Sequence, residues 1–160
     1  AANVLGEVNE GFKIALHTLD GGRIGIACQA IGIMEACLEA SIAYAREREQ
    51  FGKPIAAFQP IQWKLAEMSA LIDSSKLLVM RAATLKDQGK PHVREAATAK
   101  LVASRGANWC AKEAVQIHGG AGYCTDFPVE RYFRDARITE IYEGTTEIQK
   151  LVIARSLLRE

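Results

Sequence analysis

Four short stretches of this 160-residue chain concentrate side chains that could do chemistry. "LDGGRIG" (19–25) sets Asp20 and Arg23 around two glycines, and "REREQFG" (46–52) places Arg48 beside Phe51 and Gly52. "QIHGG" (116–120) joins Gln116, Ile117 and His118 to a glycine pair, and "YEGTTE" (142–147) holds Glu143 between Tyr142 and Gly144. Each has a functional and a bland reading. Asp20 and Arg23 could meet a polar ligand, or form a solvated charge pair. A guanidinium at Arg48 suits a phosphate, or it favours the negative end of a helix dipole. Glycines at 119 and 120 let backbone approach a ligand, or they end a helix.

Glu143 carries the sharpest question. It follows β-branched and aromatic residues and precedes a glycine and a helix-start signal at Thr145. A helix N-terminus favours anions or hydroxyl-rich ligands. A carboxylate there, desolvated by Tyr142 and an apolar ligand, would serve as a general base. The alternative is an ordinary solvated loop acid.

The elements that must position these residues are helical. From Gly22 to Arg48 the apolar stripe reads Ile24, Cys28, Ile31, Leu38, Ile42 and Ala45, which is helical periodicity. "FGKPIAAFQP" breaks it, and Gln59–Pro60 opens a second helix. That helix buries Ile61, Leu65, Met68, Ile72, Ser75, Val79 and Ala82, and ends near Gln88 with Gly89 as a left-handed cap. An alanine-rich third helix, from about Val93 to Ile117, should be central because small side chains allow close approach. "HGGAGY" stops it. A short helix follows Pro128, and Thr145 caps a last one carrying Ile148, Leu151, Val152 and Leu158. Strand alternation is confined to a weak hint at 138–142. The expected fold is all-α, an up-down bundle of four long helices.

Composition excludes several classes. Twenty Lys and Arg face 19 Asp and Glu, so no basic field exists for nucleic acid or an anionic membrane. No apolar run is expected to span a bilayer, and no leader pattern opens the chain. Cys28, Cys37, Cys110 and Cys124 form no close pair and read as buried thiols in a reducing compartment. Three histidines without a Glu-x-x-His motif give no di-iron pattern, so no metal is expected. There is no nucleophile elbow and no phosphate loop. The start, "AANVLGEVNEGFK", lacks an initiator methionine and is expected of a processed or excised segment.

Taken together, "LDGGRIGIA", "REREQFGKPI", "QIHGGAGY" and "RYFRDARITEIYEGTTEIQ" resemble, in order and register, the C-terminal helical domain of the acyl-CoA dehydrogenases. The resemblance covers essentially the whole chain and is strongest to the short-chain (butyryl) members. It implies that the family's N-terminal helical and middle β-domains are absent from this chain.

By that resemblance Glu143 is the catalytic base. It would remove the α-proton of an acyl-CoA while the β-hydride passes to FAD, giving a trans-2-enoyl-CoA. Some members carry the base just before the arginine matching Arg23, where this chain has Gly22. Arg48, Phe51, Gln59 and Gln116, Ile117, His118, Gly119 and Gly120 match positions that hold FAD across a subunit interface. Thr145, Thr146 and Glu147 match the stretch beside the subunit's own flavin. Asp20, Arg23, Tyr142 and Gly144 match substrate-side positions. The resemblance further implies a homotetramer, electron-transferring flavoprotein as partner, and a cytoplasmic or, in a eukaryote, mitochondrial-matrix location. Two other classes stay open: an acyl-CoA oxidase, which oxygen reactivity separates, and a free-standing helical module, which a flavin spectrum separates.

Overall fold

The computed structural model describes residues 3–159. Helix α1 (Gly11–Glu47) is followed by a small hairpin, β1 (Glu49–Gln50) and β2 (Lys53–Pro54), and by the return helix α2 (Gln59–Asp87). Helix α3 (Val93–His118) packs against both, and α4 (Val129–Ile138) and α5 (Thr146–Leu157) lie on α3. The all-α bundle is the expected one. Its first three helices have 37, 29 and 26 residues, and the fourth place is shared by α4 and α5, with 10 and 12. Residues 138–142 form no strand; they close α4 and turn the chain.

Helix α3 is the core element. Ala96, Ala97, Ala99, Ala103, Ala107, Ala111 and Ala114 are all fully buried. Helix α2 buries Met68, Ile72, Ser75, Val79 and Ala82 at the expected register. It ends in a Schellman motif: Lys90 N–H donates to Leu85 O and Gly89 N–H to Lys86 O, both at 2.9 Å. Gly89 has φ +65°, the left-handed value this cap requires.

Four expectations need correction. Helix α1 begins at Gly11 rather than Gly22, and its buried face runs through Arg23, Ala27, Ala30, Met34, Cys37 and Ser41. The glycine pair resembles a helix start but lies inside the helix, where missing side chains admit neighbours. A Cβ on Gly21 would stand 2.8 Å from Lys86 Nζ. Because α1 is apolar on most sides, the expected stripe holds only in part: Ile31 and Ala45 are buried, Ile24, Leu38 and Ile42 are half-buried, and Cys28 is exposed. The same property gives it an 18-residue window of mean hydropathy 1.4, long and apolar enough to cross a membrane, contrary to expectation.

The last helix buries Gln149 rather than its apolar residues, and Ile148, Leu151 and Leu158 are exposed. Of the cysteines only Cys37 and Cys110 are buried, and burial pushes both thiols up to about 12. Cys28 and Cys124 are exposed.

Candidate active site

The base-bearing turn is built between α4 and α5. Thr139, fully buried, donates its hydroxyl to Ala136 O at 2.7 Å and ends α4. Thr145 then caps α5, its hydroxyl accepting Ile148 N–H at 3.4 Å. Between them Glu143 and Gly144 take φ +51° and +90°. A left-handed glutamate is strained by about 1–2 kcal/mol, and such strain persists only where surroundings over-determine it.

The surroundings here are two buried donors. Lys100, fully buried on α3, donates Nζ to Gly144 O at 2.6 Å. Gln149, fully buried on α5, donates Nε2 to Gly144 O at 2.8 Å and to Glu143 O at 3.2 Å. A Cβ on Gly144 would approach Gln149 Nε2 to 2.6 Å, so glycine is needed for space as well as for φ. Burial holds the Lys100 ammonium below the usual lysine value, partly countered by Glu140, Glu143 and Glu147 and reinforced by Arg23.

The Glu143 side chain crosses to α1. A Cβ on Gly22 would stand 2.1 Å from Glu143 Oε2, so the bare glycine is what gives the carboxylate its place. Among the described residues nothing donates a hydrogen bond to that carboxylate. Tyr142 beside it donates its hydroxyl to Gln29 Oε1 on α1. Next to Gly22 in the chain, Arg23 Nη1 donates to Asp20 Oδ1 at 2.6 Å. This pair is buried, not solvated, and Arg23 Nε is left without a partner. Both residues line a cavity of about 660 Å³ with Val152, Arg155 and Arg159.

A second patch forms at the other end of the bundle. Arg48 caps the C-terminus of α1, and Phe51–Gly52 is the tip of the hairpin with φ +53° and +77°. Positive φ at both central residues is the type I′ turn that matches strand twist. Phe51 is 91% exposed and meets Phe58 edge-on, next to Gln59 at the start of α2. The end of α3 joins this patch through His118, whose ring stacks on Tyr44 with centroids 4.3 Å apart. His118 Nδ1 is 2.8 Å from Ala114 O, and the residue is buried. Burial lowers its pKa, partly offset by that hydrogen bond. Gln116, Gly119 and Gly120 are exposed, and space for a Cβ at either glycine is open.

The sequence-predicted residues therefore fall into two groups. Glu143, Gly144, Tyr142, Asp20, Arg23 and the Thr145–Glu147 segment gather at one end. Arg48, Phe51, Gln59 and Gln116–Gly120 gather at the other. At 1.5 Å per residue the groups stand about 39 Å apart along α1, from Gly22 to Arg48, and about 24 Å along α3, from Lys100 to Gln116. Sequence reasoning missed Lys100 and Gln149. Lys100 was findable: it lies four residues after Ala96 and three before Ala103, on the stripe of buried alanines.

The family model for the acyl-CoA dehydrogenase C-terminal domain matches residues 9–158. The chain belongs to the acyl-CoA dehydrogenase family. It is 57% identical, over 98% of its length, to the short-chain specific acyl-CoA dehydrogenase of Rattus norvegicus, of which it covers 38%. It overlays the butyryl-CoA dehydrogenase of Megasphaera elsdenii with a TM-score of 0.97 and 54% identity, covering 98% of this chain and 41% of that one. A structure concerning the electron-transferring flavoprotein of Acidaminococcus fermentans matches equally, at TM-score 0.97 and 52% identity, over 99% of this chain and 42% of that one. The chain thus spans about two-fifths of the length of these relatives.

For an acyl-CoA dehydrogenase domain, FAD is the group to test against these residues. Arg48 is exposed, and among the described residues its guanidinium has no ion-pair or hydrogen-bond partner. It lies at the same end of the bundle as the exposed Gln116 amide and the open backbone of Gly119 and Gly120, and guanidinium, amide and backbone N–H are donors suited to phosphate. At the other end Thr146 Oγ1 is buried without a partner. Glu147 beside it is held below the usual carboxylate range by its own backbone N–H and then by the Thr145 hydroxyl. The residues fit the group.

Proposed function

We propose that this domain belongs to an FAD-dependent acyl-CoA dehydrogenase that oxidises short-chain acyl-CoA thioesters to trans-2-enoyl-CoA. The observation that carries this reading is the Glu143 carboxylate: unpaired, lodged over Gly22, and borne on a left-handed turn clamped by two buried donors. A base must be free to accept a proton, and it must be aimed.

Glu143 takes the α-proton onto its carboxylate, and the electron pair of the α C–H bond becomes the new α,β double bond. The β-hydrogen leaves with its own electron pair, for which bound FAD supplies the acceptor. Negative charge builds on the thioester carbonyl as the α-proton departs, so donors must face that oxygen. The half-buried setting of Glu143, with Tyr142 against it, limits water at the reacting carbon. The spacing of the two groups supports a shared cofactor site. Arg48 and Gln116–Gly120 would hold the pyrophosphate and adenosine of a neighbour's FAD, while Thr145–Glu147 flank the subunit's own flavin. Such sharing requires an oligomer, and the family pattern is a homotetramer. Likeness to the short-chain and butyryl enzymes supports the chain length. The match within a flavoprotein structure supports electron-transferring flavoprotein as the acceptor.

Replacing Glu143 in the full-length enzyme tests the assignment. Glu143→Gln keeps shape but removes the base. Flavin reduction by butyryl-CoA should then fall by several orders of magnitude, with FAD still bound. Reduction near the parent rate in this variant would refute the assignment.

A further inference from the structure

We infer that Lys100 is a positioning residue: its ammonium, donating to the Gly144 carbonyl from inside the bundle, holds the Glu143–Gly144 turn so that the carboxylate stays aimed over Gly22. The inference rests on the proposed role of Glu143 and adds the group that orients it. Lys100 has no exposed surface, and it sits on the most alanine-rich face of the molecule. Burying an ammonium is costly unless it is satisfied by well-formed bonds. Its hydrogen bond goes to the residue directly after Glu143, at 2.6 Å.

The turn needs such a hold. Two consecutive positive φ angles are not maintained by the turn itself, because a glutamate relaxes readily to negative φ. Gln149 alone supplies one amide for two carbonyls, with its bond to Glu143 O the longer at 3.2 Å. Lys100 comes from a different helix, so it ties the turn to α3 and not only to α5. Burial holds the ammonium's pKa below the usual lysine value, and Arg23 adds to this, while Glu140, Glu143 and Glu147 act in favour of the charged form. The contact is therefore a directional, charge-assisted bond, and it places Glu143 against α1 without touching the substrate itself.

The experiment uses the full-length enzyme and three variants: Lys100→Met, Lys100→Gln and Glu143→Gln. Flavin reduction by butyryl-CoA is followed in a single turnover, alongside FAD content, butyryl-CoA affinity, and solvent-deuterium exchange at the substrate α-carbon. Lys100→Met should slow reduction and α-exchange together, by roughly 100-fold, the scale expected when a reacting group is misplaced by about 1 Å. FAD content and substrate affinity should stay near parent values. Lys100→Gln, which retains a donor, should recover part of the rate, and it carries the test if the methionine variant fails to fold. Parent-like reduction in a lysine variant overturns the inference. So does a loss of rate that only follows loss of FAD or substrate affinity, since that is a structural effect. An active Glu143→Gln overturns the proposed function, and this inference with it. An inactive Glu143→Gln beside a fully active Lys100→Met overturns this inference alone.

Discussion

At the residue scale, this domain commits several ionisable groups to its interior, each with a different consequence. Asp20–Arg23 is a buried pair at 2.6 Å, and such pairs contribute little net stability while fixing geometry. Glu113, almost fully buried on α3, pairs with Lys64 of α2 and so fixes the register of the two helices. His118 is a buried imidazole. Its ring clusters with Tyr44 and Phe127, and burial lowers its pKa below the ordinary histidine value of 6.5. Below that pH the unfolded chain takes up a proton that the folded one refuses, so stability falls as pH falls toward the depressed folded value. His118→Phe keeps an aromatic ring on Tyr44 and removes this term. The thermal midpoint of the parent should therefore drop more steeply than the variant's between pH 7 and pH 5. Parallel pH profiles from differential scanning fluorimetry would show that His118 contributes no acid sensitivity.

At the element scale, caps and small residues decide where helices stop and how closely they pack. Gly89 at φ +65° completes the Schellman motif of α2, with open space around its α-carbon. Gly89→Ala meets no clash, only the left-handed backbone, which costs about 1–2 kcal/mol for a residue with a Cβ. Urea unfolding should show that loss with unchanged flavin reduction, since the cap lies outside both site groups. This cap, the register of α2 and the central place of α3 were legible in the sequence, because each depends on contacts a few residues apart. The start of α1 was not. Gly21 and Gly22 read as a break, but their role is set by Lys86 and Glu143, which are distant in sequence. The candidate site divides in the same way. Glu143, Arg48 and the 116–120 segment stand in recognisable motifs. Lys100 and Gln149 act through tertiary hydrogen bonds that no local pattern records, and the burial of Lys100 among alanines was the one available sign.

At the scale of the whole molecule, the domain leaves much apolar surface uncovered. Phe12 and Leu16 on α1, Leu77 and Met80 on α2, and Leu151 and Leu157 on α5 are all exposed, each on a different helix face. Large apolar side chains left open on three helices suit contact with further protein surface, and the chain is about two-fifths as long as its relatives. In the proposed enzyme, the family's other domains and neighbouring subunits would be the cover. The separation of the two site groups makes a sharper statement. With Arg48 about 39 Å along α1 from Gly22, its guanidinium and the Glu143 carboxylate would serve different flavins in the assembled enzyme. Truncating one partner of a buried, hydrogen-bonded charge pair costs about 2–5 kcal/mol. Arg48→Ala in the full-length enzyme should therefore lower FAD retention and the oligomeric fraction together. The rate per remaining flavin should be preserved, since the Glu143 end is untouched. Gel filtration with flavin absorbance reads both quantities from one run. Parent-like FAD content would return Arg48 to a helix-end charge. A lost rate with retained flavin would place Arg48 at the reacting end, against the geometry of α1.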